Sequence, residues 1–195
     1  FNALLLNDLN IPPSAKLYIH VGRMDPPKNH MRLIAIFREI ALHQPDAHLL
    51  LAGRGGNDIE RTIHQQIEAS GLAERVTFAG ERSDVPHLLR TAHALIFPSI
   101  REGLPGVVLE ACAAGIPVLA SDLPGVCEIA RYFPSVFPLS LSASDEVWAQ
   151  KAVALTTDRA SHTTERALER FLNSPFNLET CVEAHAHIWR EAANI

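Results

Sequence analysis

The 195-residue sequence is short of several things, and each shortage excludes a class of protein. There are three cysteines, Cys112, Cys127 and Cys181. They are odd in number and none forms a C-x-x-C pair. That argues against a disulfide framework and a structural zinc site, and fits a reducing compartment such as the cytoplasm. Positive charge is in deficit, with 17 Lys and Arg against 22 Asp and Glu for a formal net charge of −5. A general nucleic-acid binder would want a basic face. Lysine is down to three residues, Lys16, Lys28 and Lys151. Long apolar runs are missing; the longest are strand-sized, so none spans a bilayer. The first residue is Phe1, with no signal-peptide pattern after it, and the chain reads as a piece of a longer one.

Familiar motifs are missing too. There is no G-x-G-x-x-G and no P-loop Lys-Ser/Thr, so Gly53-Arg54-Gly55-Gly56 reads as a plain turn. Ser99 and Ser121 follow strands but sit in no G-x-S-x-G elbow, which argues against a hydrolase nucleophile. Ten histidines are many. No two of them have the i, i+4 spacing of a helical metal pair, so packed or solvated histidines are expected. The composition, 47% apolar and 20% charged, is ordinary for a globular domain.

Apolar runs and turn signals then divide the chain. Strands are expected at 17–21, 47–52, 76–79, 94–97 and 117–120, and an edge strand at 136–139, where Pro138 weakens central pairing. Helices are expected at 30–43, 57–70, 107–114, 126–130, 144–156, 162–172 and 178–192, with a short one through 88–89. Pro26 and Pro27 forbid a helix in the loop 22–29. Asn57 caps its helix with Glu60, Ser83 or Asp84 caps the short one, and Asn177 caps the last. Strands alternating with helices give an α/β fold, a parallel sheet with helices on both faces. One domain is expected over 1–195: a linker or preceding helix at 1–16, the core at 17–173 and a C-terminal helix at 174–195.

The stretch 97–110 organises the chain. A buried strand ends in the turn Arg101-Glu102-Gly103-Leu104-Pro105, and a helix follows. In an open α/β sheet ligands bind at that carboxyl edge, and helix N-termini suit anions. Glu102 and Glu110 frame the turn, and Glu110 could reach back over the helix start. Carboxylates suit sugar and ribose hydroxyls but not phosphate, unless cations are near. Arg23 and Lys28, in the loop after the first strand, lie at the same edge and would neutralise a diphosphate. Arg82 either lines a base or phosphate pocket or pairs with Asp84. A glycosidase acid/base pair at Glu102 and Glu110 would leave the cations without a reason.

Glu102 and Glu110, with seven residues between them, resemble the E-x7-E motif of retaining, family 4-type glycosyltransferases of the GT-B fold (glycosyl transferases group 1). Gly22-Arg23 with Lys28-Asn29 resembles the family's G-R…K-N segment, and Gly80-Glu81-Arg82-Ser83-Asp84-Val85 its G-x-R-x-D-V segment. Glu102-Gly103-Leu104-Pro105, Leu109-Glu110-Ala111, Ala114-Gly115, Pro117-Val118, Ser121, Gly125 and Glu128 follow in the family's order. The resemblance covers roughly 17–130. It implies a Rossmann-like fold, one half of a GT-B enzyme, that binds the nucleotide-sugar donor; the N-terminal acceptor domain would be absent. By that analogy Arg23 and Lys28 bind the diphosphate, and Glu102 with the amides of Gly103 and Leu104, next to Pro105, holds the sugar and phosphate. Glu110 takes the ribose, and the backbone of Glu81 and Arg82 meets the base beside Gly22.

The resemblance implies no cofactor and no divalent metal. The donor is a nucleoside-diphosphate sugar, a UDP-sugar first, and any membrane contact falls to the missing half. Arg101 departs from the pattern, standing where an aromatic residue is common, and Gly53-Arg54-Gly55-Gly56 replaces a G-x-G-P-like turn. Two other readings are a nucleotide-sugar epimerase half, which needs a histidine or acidic residue aimed at the sugar, and a non-catalytic nucleotide-binding module, which needs neither the cations nor both glutamates.

Overall fold

The computed structural model describes residues 2–56, 58–157 and 164–193. Six strands form one parallel sheet: β1 (Lys16–Val21), β2 (Ala47–Ala52), β3 (Val76–Gly80), β4 (Ala94–Phe97), β5 (Val118–Ser121) and β6 (Val136–Leu139). Their spatial order is β3-β2-β1-β4-β5-β6. The chain thus runs outward from β1 to one edge, returns to lie beside β1 as β4, and runs to the other edge. The switch falls between β1 and β4, whose following helices pack on opposite faces of the sheet, and this is where an open α/β sheet forms its crevice. Pro138 sits in β6, the edge strand, opposite Ala120; there its missing N–H leaves no partner on the open side.

Strand side chains alternate faces, and they do so into two cores. Leu17, Ile19, Leu50, Leu95, Phe97 and Val118 enter one core; Tyr18, Leu49, Leu51, Ile96 and Leu119 enter the other. The first core is covered by α1 (Asn2–Asp8), α4 (Val85–Thr91), α5 (Gly106–Ala114), α6 (Pro124–Ala130) and α8 (Thr164–Leu172). The second is covered by α2 (His30–His43), α3 (Asp58–Ala69) and α7 (Asp145–Thr157). A last helix, α9 (Leu178–Ala193), completes the order. Leu33, Ile36, Phe37 and Ile40 of α2 are all buried, the one-face pattern of an amphipathic helix.

Several local expectations need correction. Pro26–Lys28 forms a 3-10 turn, with proline at its first positions. Proline breaks a helix interior but fits its start, where the missing N–H has no intrahelical role. Helix α5 starts at Gly106, with Pro105 just outside it as N-cap. Asp84 occupies the N-cap position of α4 without a side-chain cap bond; its carboxylate is taken by Arg82. The Asn177 carboxamide donates to the Leu172 carbonyl at 3.2 Å. Helix α7 begins one residue later than expected, and Ser144 just outside it accepts at Oγ from the Val147 amide at 3.3 Å. Asn57 and residues 162–163 lie outside the described residues.

Candidate functional site

Two loops cross the sheet switch and meet. One leaves β1 and carries Gly22, Arg23 and Lys28. The other leaves β4 and carries Glu102, Gly103, Leu104 and Pro105 into α5. Lys28 Nζ stands 2.8 Å from Glu102 Oε1, with the two side chains only 22% and 14% exposed. The same ammonium lies 4.9 Å from the centroid of the Phe97 ring, a cation–π contact. Its stem runs along Gly22, where an added Cβ would stand 3.1 Å from Lys28 Cδ and Cε. Gly22 thus leaves room for the lysine to reach the crevice.

Around this pair is a cleft of about 390 Å3 lined by Gly22, Arg23, Lys28, Glu102, Leu104, Pro105 and Glu110, among others. Glu110 is exposed on α5. Its Oε1 reaches back to 3.8 Å from the place a Cβ on Gly106 would occupy. Arg23 is largely exposed and pairs with Asp25 at 3.3 Å. A second cleft of about 250 Å3 shares Val21, Gly22, Arg23 and Val85 with the first and adds Ala52, Gly53, Arg54, Glu81 and Arg82. Arg82 forms a two-point pair with Asp84, Nε to Oδ1 at 2.8 Å and Nη2 to Oδ2 at 2.7 Å. That hydrogen-bonded pairing holds the Asp84 carboxyl below its usual range. So Arg82 both lines a pocket and pairs with Asp84. Arg101 is exposed and is not part of the cleft lining.

Close backbone approaches fix these loops. A Cβ on Gly53 would stand 2.0 Å from the Gly22 carbonyl oxygen, and one on Gly125 would stand 1.9 Å from that of Gly103. The loop after β2 is therefore pressed against the loop after β1, and the start of α6 against the Glu102 turn. The Gly22, Gly53 and Met24 amides donate to Ala52, Gly80 and Arg54 carbonyls at 2.9, 2.8 and 2.9 Å. The turn at 53–56 acts as a strut; the sequence did not single out this role. Beneath Lys28 lie two buried histidines, His20 and His30, with ring centroids 4.7 Å apart. Burial, with each other's and Lys28's charge, pushes His20 down to about 3; burial and Lys28 push His30 down to about 4.

A larger groove of about 460 Å3 is lined by Tyr132, Arg166, Glu169, Arg170, Asn173 and Ser174. It contains none of the carboxyl-edge loops, so the two smaller clefts at that edge are the candidate site. Among the described residues no group of three or more His, Cys, Asp or Glu is arranged as a metal site would need. Among them, too, no helix is long and apolar enough to cross a membrane.

A parallel sheet with helices on both faces and an open, charged cleft at its switch point is an α/β domain of the type that binds ligands at the carboxyl ends of its strands. The chain belongs to the glycosyl transferases group 1 family, whose pattern matches residues 4–135. It is 34% identical over 134 residues to the putative glycosyltransferase EpsF of Bacillus subtilis, which covers 67% of this chain and 33% of that protein. In fold it is similar to a glycosyltransferase from Rickettsia africae, with a TM-score of 0.85 at 20% identity over 97% of this chain and 51% of that one. It is also similar to Anabaena Alr3699/HepE in complex with UDP and glucose, with a TM-score of 0.75 at 24% identity over 94% of this chain and 51% of that one. The fold is the Rossmann-like fold of GT-B glycosyltransferases, and the chain spans about half the length of these solved structures and a third of EpsF.

Proposed function

We propose that this chain is the donor-binding half of a retaining glycosyltransferase that moves a sugar from a nucleoside-diphosphate sugar to an acceptor hydroxyl. One observation carries the reading: Lys28, Arg23, Glu102, Glu110 and the start of α5 line one cleft across the β1/β4 switch. Each part has a task there. Arg23 and Lys28 neutralise the diphosphate and stabilise the charge that builds on it as the bond from the anomeric carbon to oxygen breaks. The amides of Gly103 and Leu104, at the positive end of α5, add fixed dipoles. Glu102 accepts hydrogen bonds from sugar hydroxyls and Glu110 from the ribose. The second cleft, at Glu81 and Arg82, takes the base. Uracil is the first choice, since the Anabaena neighbour is complexed with UDP.

The acceptor binds to a further domain, because the solved neighbours are about twice the length of this chain. This chain alone therefore binds nucleotide and transfers sugar poorly or not at all. The acceptor is a hydroxyl of a polysaccharide, a lipid or another glycoconjugate, and any membrane contact of the enzyme lies in that other part. Calorimetric titration with UDP, GDP and ADP, each without metal and with magnesium, tests the reading. Metal-independent binding of one nucleotide, weakened by Lys28→Ala and Glu110→Ala, is expected. If neither this chain nor a form extended by the further domain binds any of the three, the reading fails.

A further inference from the structure

We infer that Asn29 is a positioning residue that sets the Lys28 ammonium against the incoming diphosphate. This rests on the donor-binding reading above. Among the described residues two non-glycine residues have positive φ, Asn10 and Asn29. Asn29, at φ 56° and ψ 45°, closes the 3-10 turn that carries Lys28 and stands at the N-cap of α2. An asparagine there ordinarily folds its side chain over the helix start. Asn29 makes no such bond. Its Nδ2 instead donates to the Pro98 carbonyl at 3.0 Å, across the sheet. The Ile100 amide returns a bond to the Pro27 carbonyl at 2.8 Å. These two bonds bracket Lys28 from positions 27 and 29, and bind it to the segment 98–100 just before Glu102. On the other side of that segment, the Ser121 hydroxyl donates to the Ser99 carbonyl.

The result is a three-point fastening between the loop after β1, the loop after β4, and β5. Lys28 is a long side chain with many rotamers, and fixing its head takes more than one carboxylate. The Asn29 bond supplies the backbone half of that restraint, and the Glu102 pair and Phe97 ring supply the side-chain half. Asparagine suits the position for two reasons. It tolerates the left-handed region, and it carries a donor where Pro98 offers an acceptor.

The test is a double-mutant cycle on this chain, read by titration with the nucleoside diphosphate that the unaltered chain binds. Asn29→Gly keeps the left-handed backbone and deletes the carboxamide. Affinity is expected to fall about tenfold because the Lys28 head is no longer held, and Tm to fall by about 2–4 °C because one neutral hydrogen bond is lost from the folded chain. In a Lys28→Ala background the same substitution is expected to change affinity no further, because Asn29 acts through Lys28. Asn29→Asp, which sets a carboxylate oxygen against the Pro98 carbonyl, is expected to lose at least as much. Unchanged affinity in Asn29→Gly or Asn29→Asp would overturn the inference. So would an equal loss with and without Lys28, the sign of a purely structural role. If the unaltered chain binds no nucleotide, with or without the further domain, the donor reading itself has failed and this inference falls with it.

Discussion

Lys28 Nζ and Glu102 Oε1 are hydrogen-bonded at 2.8 Å in a site that faces solvent only in part. The cation assigned to phosphate is thus already satisfied by the carboxylate assigned to sugar. Removing either one leaves the other largely buried and unpaired. Lys28→Ala or Glu102→Ala alone should destabilise the chain by about 1–3 kcal/mol, which lowers Tm by about 2–4 °C per kcal/mol in a chain of this size. The double variant should lose less than the sum of the two, since no charge is stranded. Nucleotide affinity should stay at least about tenfold down in Lys28→Ala and in the double variant, the loss typical of a charge-assisted contact. Strict additivity in Tm, measured by thermal melting, would show that the pair is not energetically coupled.

Glu110 is exposed, and its carboxylate folds toward Gly106 at the start of α5. If it accepts from ribose hydroxyls, its removal should leave Tm within about 1 °C, as surface substitutions do. The unaltered chain should prefer UDP over 2′-deoxy-UDP, and Glu110→Ala should bind the two alike. Equal preference in both chains, read by competition titration, would take the ribose contact away from Glu110.

Gly125 and Gly103 are both near the Glu102 turn but differ sharply in what surrounds them. A Cβ on Gly125 would overlap the Gly103 carbonyl oxygen at 1.9 Å, whereas one on Gly103 meets nothing within 4 Å. Gly125→Ala should therefore shift the turn, cost about 1–3 kcal/mol of stability by overpacking and weaken nucleotide binding. Gly103→Ala should fold as the unaltered chain does. Paired denaturant titrations and nucleotide titrations of the two variants check the contrast; equal behaviour would mean that α6 does not hold the turn.

The alternation of strands and helices was legible because each apolar run of β1, β2, β4 and β5 is strand-sized, buried throughout in β2, β4 and β5 and at its centre in β1, and each is closed by Gly, Pro or polar residues. The sheet order was not, since nothing in a strand's own residues says which neighbour it takes. Lys28, Glu102 and Glu110 could be placed at one edge because each follows a strand or opens a helix by a fixed number of residues. The direct Lys28–Glu102 bond, the Asn29–Pro98 bond and the Gly53–Gly22 approach join residues far apart in sequence. They depend on β1 and β4 being neighbours, which periodicity does not encode. The 3-10 turn at Pro26–Lys28 was missed because proline was weighed as an interior residue when it stood at the first positions. The Asn29 role had one signal, an asparagine at the end of a proline turn, which reads equally well as an ordinary cap.

The buried histidines under Lys28 give the last prediction its sign. His20 and His30 are held down to about 3 and about 4, first by burial and then by neighbouring positive charge, from an ordinary value of 6.5. His20 Nδ1 donates to the Ile96 carbonyl at 2.9 Å, as the neutral ring does. The folded chain therefore takes up no proton at these rings where the unfolded chain does. Their contribution to stability is complete above pH 6.5 and falls away as the pH drops from there towards about 4 and then about 3. Urea denaturation at a series of pH values between 7 and 4 should show this decline. His30→Gln should lose part of it, since glutamine takes no proton in that window while keeping a polar side chain. The comparison between the two chains removes the carboxylates that titrate in the same range, which both share. Parallel stability curves for the two chains would show that His30 is not buried in its neutral form.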